Sequence, residues 1–234
     1  MALEEFRVRF GKAITELIGT AMLVMTIQLS VAGGLSSAPI VIGLVLVALV
    51  YGGFPISGAH YNPAISLAVF VRGKISLREM FVYWLFQIGG GILGALLGGV
   101  IIGRTAGIAI GTGFGFLQAF LAELVFTALL CFTVLAVATN SKVEGNSYYG
   151  FAIGLVVLVG AATVGPVSGG AFNPAVALGL VLVKHFWRLG YVIWVVLAEL
   201  LGALGGAMIF YLCVPDEFEH VGEEARNLLP GQNA

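Results

Sequence analysis

Long apolar blocks divided by short polar punctuation run through the 234-residue chain. Residues 1–12 are polar, with Arg7, Arg9 and Lys12 just ahead of the first block, which runs from Ala13 to about Gly33. The others are Pro39 to Phe54, Leu77 to about Ile102, Phe116 to Thr139, Ser147 to about Val164 and Leu189 to about Val214. Each approaches the roughly 20 apolar residues with which a helix crosses a hydrocarbon core. Two further blocks, Pro63 to Arg72 and Pro174 to Val183, are half that length. At about 1.5 Å per residue each spans about 15 Å, half of a core about 30 Å thick. A helix that short cannot cross, and it enters a bilayer only where its loop is buried in protein or lines a watery cavity. The pattern predicts an all-α membrane protein with six transmembrane helices and two re-entrant half-helices.

The order span, span, half-helix, span occurs twice. Thr15-Glu16-Leu17-Ile18-Gly19-Thr20-Ala21 is echoed by Ala122-Glu123-Leu124-Val125-Phe126-Thr127-Ala128, and Gln87 and Gly90 by Glu199 and Gly202. A removable leader peptide would not be half of an internal duplication, so the first block is read as a span. Three full spans per half put the halves, about 10–103 and 116–214, in opposite orientations within one domain covering 1–234. The functional centre of such an inverted repeat is expected at the repeat interface near mid-membrane. The Gly-rich stretch Gly103 to Gly115 reads as the link between halves, Asn140 to Asn146 as a polar turn, and Lys184 to Arg188 as the polar stretch before the sixth span. The tail from Pro215, with Asp216, Glu217, Glu219, Glu223 and Glu224, reads as solvated and partly disordered.

Both half-helices open on the same tripeptide. Asn62-Pro63-Ala64 ends the stretch Ser57-Gly58-Ala59-His60-Tyr61-Asn62-Pro63-Ala64, and Asn173-Pro174-Ala175 ends Ser168-Gly169-Gly170-Ala171-Phe172-Asn173-Pro174-Ala175. Asn is a favoured N-cap, and Pro is tolerated at the first helical position because its missing N–H would be unpaired there. The doubled Ser-Gly-x-x-x-Asn-Pro-Ala resembles the aquaporin family, the membrane channels for water and small neutral solutes, over nearly the whole chain. The resemblance implies an aquaporin-like bundle, passive conduction without cofactor, metal or enzymatic step, and a homotetramer with one pore per subunit. It makes Asn62 and Asn173 the central selectivity residues. Two half-helix N-termini, each with about half a positive charge, then face the lumen and oppose cations, while the Asn amides donate to water. The alternative for the two asparagines is helix capping alone.

Composition supports the membrane assignment. Hydrophobic residues make up 59% and charged residues 10% of the chain, with a mean hydropathy of +1.05, against about 25% charged in a soluble domain. The net charge of −1 gives no sign of a nucleic-acid partner. Cys131 and Cys213 read as small core hydrophobes. With the N-terminus inside, Arg7, Arg9, Lys12, Arg72, Lys74, Arg78, Lys142 and Arg226 are cytoplasmic, and Arg104, Lys184 and Arg188 are outside. That bias predicts both termini in the cytoplasm.

Intramembrane carboxylates are costly unless paired. By resemblance, Glu16 and Glu123 brace the two re-entrant loops through backbone N–H groups; the minority alternative is proton coupling. Glu199 is expected to face protein. His60 reads either as pore lining or as a structural loop residue. Gly90, Gly94 and Gly98, and Ala198, Gly202 and Gly206, form faces for close helix approach, within a monomer or between monomers.

One departure from the family concerns the outer constriction. Most members follow the second Asn-Pro-Ala with Arg, and glycerol-conducting members with Arg then Asp. Here the residues are Val176 and Ala177. By family spacing the remaining filter positions fall at Ile42, Ala161 (or its neighbour Gly160) and Gly170. A filter of Ile42, Ala161, Gly170 and Val176 carries no charge and few side-chain donors, so diameter and apolar wetting would decide what passes. The expectation is water together with glycerol, urea or ammonia. The alternative is a strictly water-selective channel in which another side chain refills the gap. Outside this class, a secondary transporter of similar inverted-repeat design and a closed junction protein of the same fold remain open. An intramembrane hydrolase is disfavoured, because neither Ser57 nor Ser168 has a nucleophile elbow or an activating partner.

Overall fold

A computed structural model describes residues 2–218. Eight α-helices follow one another among these residues: α1 (Ala2–Ala32), α2 (Ala38–Ser57), α3 (Pro63–Val71), α4 (Leu77–Ile102), α5 (Phe116–Ala138), α6 (Tyr149–Ser168), α7 (Pro174–Lys184) and α8 (Leu189–Cys213). Six are long and apolar enough to cross a membrane, and α3 and α7 are the two short helices. The outer surface is apolar, with Leu85, Val100, Leu117 and Leu212 exposed. In water such a belt would drive aggregation; it is what a lipid-facing bundle requires.

α1 packs on α4, α5 on α8 and α2 on α6. The small residues of α4 and α8 make the first two seams. A Cβ added at Gly90 would lie 2.3 Å from the Leu17 carbonyl and one at Gly94 2.2 Å from that of Ala21. At Gly202 and Gly206 the Leu124 and Ala128 carbonyls would each be 2.5 Å away. Both faces therefore pack within the monomer.

Several helix ends differ from the sequence reading. α2 and α6 run past Phe54 and Val164 because Pro55 and Pro166 sit inside their last turns and do not stop them. Each helix ends at its motif serine, Ser57 or Ser168, and is closed by a left-handed glycine, Gly58 (φ 84°) and Gly169 (φ 102°). The polar N-terminal stretch is itself helical, α3 stops at Val71 and α7 extends to Lys184.

The link and the start of the tail are both packed. In the link, the Ala106 N–H donates to Gln28 Oε1 (3.0 Å), Gln28 Nε2 to the Arg104 carbonyl (2.8 Å) and the Gly111 N–H to the Val167 carbonyl (2.9 Å). The start of the tail is a short 3-10 turn, Pro215–Phe218. Its Glu217 accepts from the buried Arg72 guanidinium at the end of α3 and from the Ser141 backbone N–H (2.8 Å) and hydroxyl, while Arg72 stacks on the Phe218 ring at 5.1 Å. Glu217 and Phe218 are thus docked, while Pro215 and Asp216 stay exposed. Glu219, Glu223, Glu224 and Arg226 lie outside the described residues. Cys131 is buried in the core, but Cys213 is exposed at the end of α8, so only the first is a core residue.

Candidate functional site

The two Asn-Pro-Ala motifs meet at the centre of the bundle. Asn62 caps α3 and Asn173 caps α7, each with its side-chain Oδ1 accepting from the N–H two residues on, Ala64 at 2.8 Å and Ala175 at 2.9 Å. Pro63 and Pro174 hold the first helical positions. The motifs are also tied to one another: Asn62 Nδ2 donates to the Phe172 carbonyl (2.8 Å) and Asn173 Nδ2 to the Tyr61 carbonyl (2.9 Å). A side-chain amide has two N–H bonds. One in each Asn is committed to the facing loop, leaving one for another acceptor.

The loops entering the motifs are wound through left-handed backbone. Ala59, Tyr61 and Phe172 have φ of about +50°, and Gly170 has φ 63°. Non-glycine residues there are strained and persist only where their surroundings over-determine them. Buried carboxylates supply that constraint. Glu16 accepts from the Ser57 hydroxyl (2.6 Å), the His60 N–H (3.0 Å), the Tyr61 N–H (2.6 Å) and Gln87 Nε2 (2.8 Å). Glu123 accepts from the Ala171 N–H (3.1 Å) and the Phe172 N–H (2.8 Å). Glu199 is buried, and its Oε1 accepts from the Asn173 N–H at 2.7 Å. This last contact was not readable from sequence, where only the alignment with Gln87 marked the position.

His60 is buried, with Nδ1 3.0 Å from the Ser66 hydroxyl and its ring edge-on to Tyr83. It also borders a cavity of about 410 Å³ that reaches both Asn62 and Asn173. Ile42, Ala161, Gly170 and Val176 all line this cavity. Gly160 does not; it faces the Phe172 and Phe126 rings instead. Among the described residues, no Lys, Arg, Asp or Glu lines the cavity. The link contributes to the wall, with Gly107, Ala109, Ile110, Gly111 and Thr112 bordering the cavity. Arg188 lies behind this wall, its Nη1 3.4 Å from the Ile108 carbonyl. No cluster of three metal-ligating side chains occurs among the described residues.

Six apolar crossing helices, two half-helices meeting at capped N-termini and a polar-centred cavity between them define a membrane channel of inverted-repeat design. The family model "Major intrinsic protein" matches residues 6–211. The protein named probable aquaporin TIP-type alpha from Phaseolus vulgaris is 34% identical over 190 residues, covering 80% of this chain and 73% of that protein. Aquaporin-8 of Mus musculus is 33% identical over 217 residues, covering 87% and 82%. Among solved structures, the aquaglyceroporin from Plasmodium falciparum superposes with a TM-score of 0.68 at 21% identity, over 88% of this chain and 95% of that one; it shows the fold alone. The chain belongs to the major intrinsic protein family, the aquaporins, a family of channels and not of enzymes.

Proposed function

We propose that the protein conducts water and small neutral solutes such as glycerol, urea or ammonia through a single pore per subunit. The observation that carries this reading is the cavity itself. It runs to the paired asparagines past Ile42, Ala161, Gly170 and Val176 without meeting a charged side chain among the described residues. In this reading Asn62 and Asn173 form the central constriction with Pro63, Ala64, Pro174 and Ala175, and the other four positions form the outer filter. Glu16 and Glu123 brace the loops, and His60 lines the pore beside Asn62. Conduction is passive: the half-helix dipoles oppose cations at the centre, and the amides offer donors to a neutral oxygen. Relatives named aquaporins support permeation; the apolar filter supports the wider solute range.

A narrower, water-only channel is the second reading. It is favoured by the link residues Gly107 to Thr112, which fold against the same cavity and would narrow its mouth. The chain is read as one domain of two inverted repeats and as a homotetramer in the bilayer. Both termini are assigned to the cytoplasm, on the Lys/Arg bias and on the docking of Glu217 beside Ser141 and Arg72. Stopped-flow light scattering on proteoliposomes should show water, glycerol and urea entering faster than in empty vesicles. Water flux without glycerol or urea flux supports the second reading, and no flux of any kind contradicts both.

A further inference from the structure

The seams behind the two re-entrant loops are built differently. Between α1 and α4, one carboxylate, Glu16, works with the amide of Gln87, whose hydrogen bonds go to Glu16 and to the Ser66 hydroxyl. Between α5 and α8 there are two buried carboxylates, Glu123 and Glu199. Glu123 holds the two residues before Asn173. The hydrogen bond that the structure gives Glu199 goes to Asn173 itself. Its other oxygen, Oε2, and the Thr127 hydroxyl are buried side-chain oxygens without a hydrogen-bond partner.

A carboxyl group at this depth is expensive. Its buried neighbours along α8, Ala198, Gly202 and Ala203, are small and apolar, and an apolar residue at this position would avoid that cost. What Glu199 adds over such a side chain is one acceptor, placed against one backbone N–H.

Asn173 shows why that N–H matters. Its backbone is extended (φ −160°) before α7 begins. Its carbonyl accepts from the Ala177 N–H (3.0 Å), its Oδ1 from the Ala175 N–H, and its Nδ2 donates to the Tyr61 carbonyl. With the backbone N–H on Glu199, one N–H of the side-chain amide is left over. Every other polar atom of the residue is fixed, so the direction of the remaining donor is fixed as well.

We propose that Glu199 is a positioning residue for the pore centre: by holding the Asn173 backbone N–H it aims the free amide N–H of Asn173 at the permeant. The inference rests on the proposed reading of Asn173 as a lumen donor. It assigns the second loop a support acting on the asparagine itself, whereas Glu16 and Glu123 act on the residues leading up to one.

The test uses the full-length channel in proteoliposomes, with Glu199→Gln, Glu199→Asp and Glu199→Leu. Two quantities are read: backbone hydrogen exchange at Asn173 and water permeability per folded channel. Gln keeps an oxygen acceptor in the same place, so it should retain both slow exchange and wild-type permeability. Asp withdraws the oxygen by one methylene and Leu removes it; both should lose protection at Asn173 and a several-fold share of permeability. Should Leu prevent folding, the Gln and Asp pair still decides. Wild-type protection at Asn173 in the Asp and Leu variants, or a Gln variant as damaged as Leu at equal folded protein, overturns the inference. Asn173→Leu serves as the control for the underlying reading. Lost flux there with undiminished flux in Glu199→Leu sinks the positioning role alone. Undiminished flux in Asn173→Leu sinks the pore reading, while the exchange data still report on the contact.

Discussion

The first re-entrant loop and the second share a backbone and part of its support, a carboxylate on the two N–H groups before the asparagine and a tyrosine hydroxyl on the motif serine carbonyl, and differ in the rest. Gly58, Ala59 and Tyr61 take left-handed conformations in one, and Gly169, Gly170 and Phe172 in the other, each pair separated by the same 111 residues as Asn62 and Asn173. At that spacing His60 corresponds to Ala171 and Ser66 to Ala177. The first loop is held by one carboxylate accepting four hydrogen bonds, backed by a Ser66–Gln87–His60 group. The second is held by two carboxylates and has alanine where the first has polar side chains. The comparison separates what the repeat constrains from what it leaves free. Carbonyl and amide directions around the two asparagines and the carboxylate that pairs the strained N–H groups are the shared features, and the polar groups behind them differ.

That contrast predicts unequal sensitivity. Glu16→Ala strands the His60 and Tyr61 N–H groups and the Ser57 hydroxyl, while Gln87 Nε2 keeps its bond to the Ser66 hydroxyl. Each buried donor left unpaired costs about 1–3 kcal/mol, enough jointly to remove most of a membrane protein's folded population. Glu123→Ala strands fewer. Thermal melting in detergent should therefore rank wild type above Glu123→Ala and Glu123→Ala above Glu16→Ala. The reverse order would break the claim that the first loop hangs on a single acceptor.

Next in size are the asparagines. Asn62→Leu and Asn173→Leu each lose a cap worth about 1 kcal/mol, a bond to the facing loop and the proposed lumen donor. Water flux should fall sharply in both, including in the fraction that folds. Equal flux at equal protein in both variants would remove the central constriction from the account.

How much of this was legible in the sequence depends on the range of the interaction. α4 begins and ends at the residues its apolar pattern marks, Leu77 and Ile102, because Ser76 caps it and Gly103 closes it. Both asparagine caps were readable for the same local reason. The docking of Glu217 on Arg72 was not: 145 residues separate them, and an acidic tail looks solvated whatever it meets. The wall made by Gly107 to Thr112 was hidden too, because its hydrogen bonds are made by backbone atoms, which carry no sequence signature. Glu199 was visible as an unusual residue, but the N–H it holds belongs to a distant loop.

The smallest expected effect lies at that docked tail. Burial raises the Glu217 carboxyl, but hydrogen bonds from Ser141 and Arg72 and the Arg72 charge outweigh it, and the group titrates below its ordinary value of 4.5. A lowered folded value stabilises docking above the ordinary value, and that contribution is lost as pH falls through the folded one. Protease access to the Pro215–Phe218 segment should thus be flat near neutrality and rise below about pH 4.5. Glu217→Gln should raise access at neutral pH and flatten its pH dependence. Access that ignores both pH and the substitution would mean the contact does not hold the tail.

The most direct test of the wide, uncharged filter compares glycerol and water permeability in wild type and Val176→Arg, side by side in proteoliposomes. Val176 is buried at the cavity wall, so a guanidinium there would project into the proposed pore. Wild type should pass glycerol, and Val176→Arg should lose most of that flux while keeping more of its water flux. A wild type that rejects glycerol, with a solute profile that Val176→Arg leaves unchanged, would contradict the account.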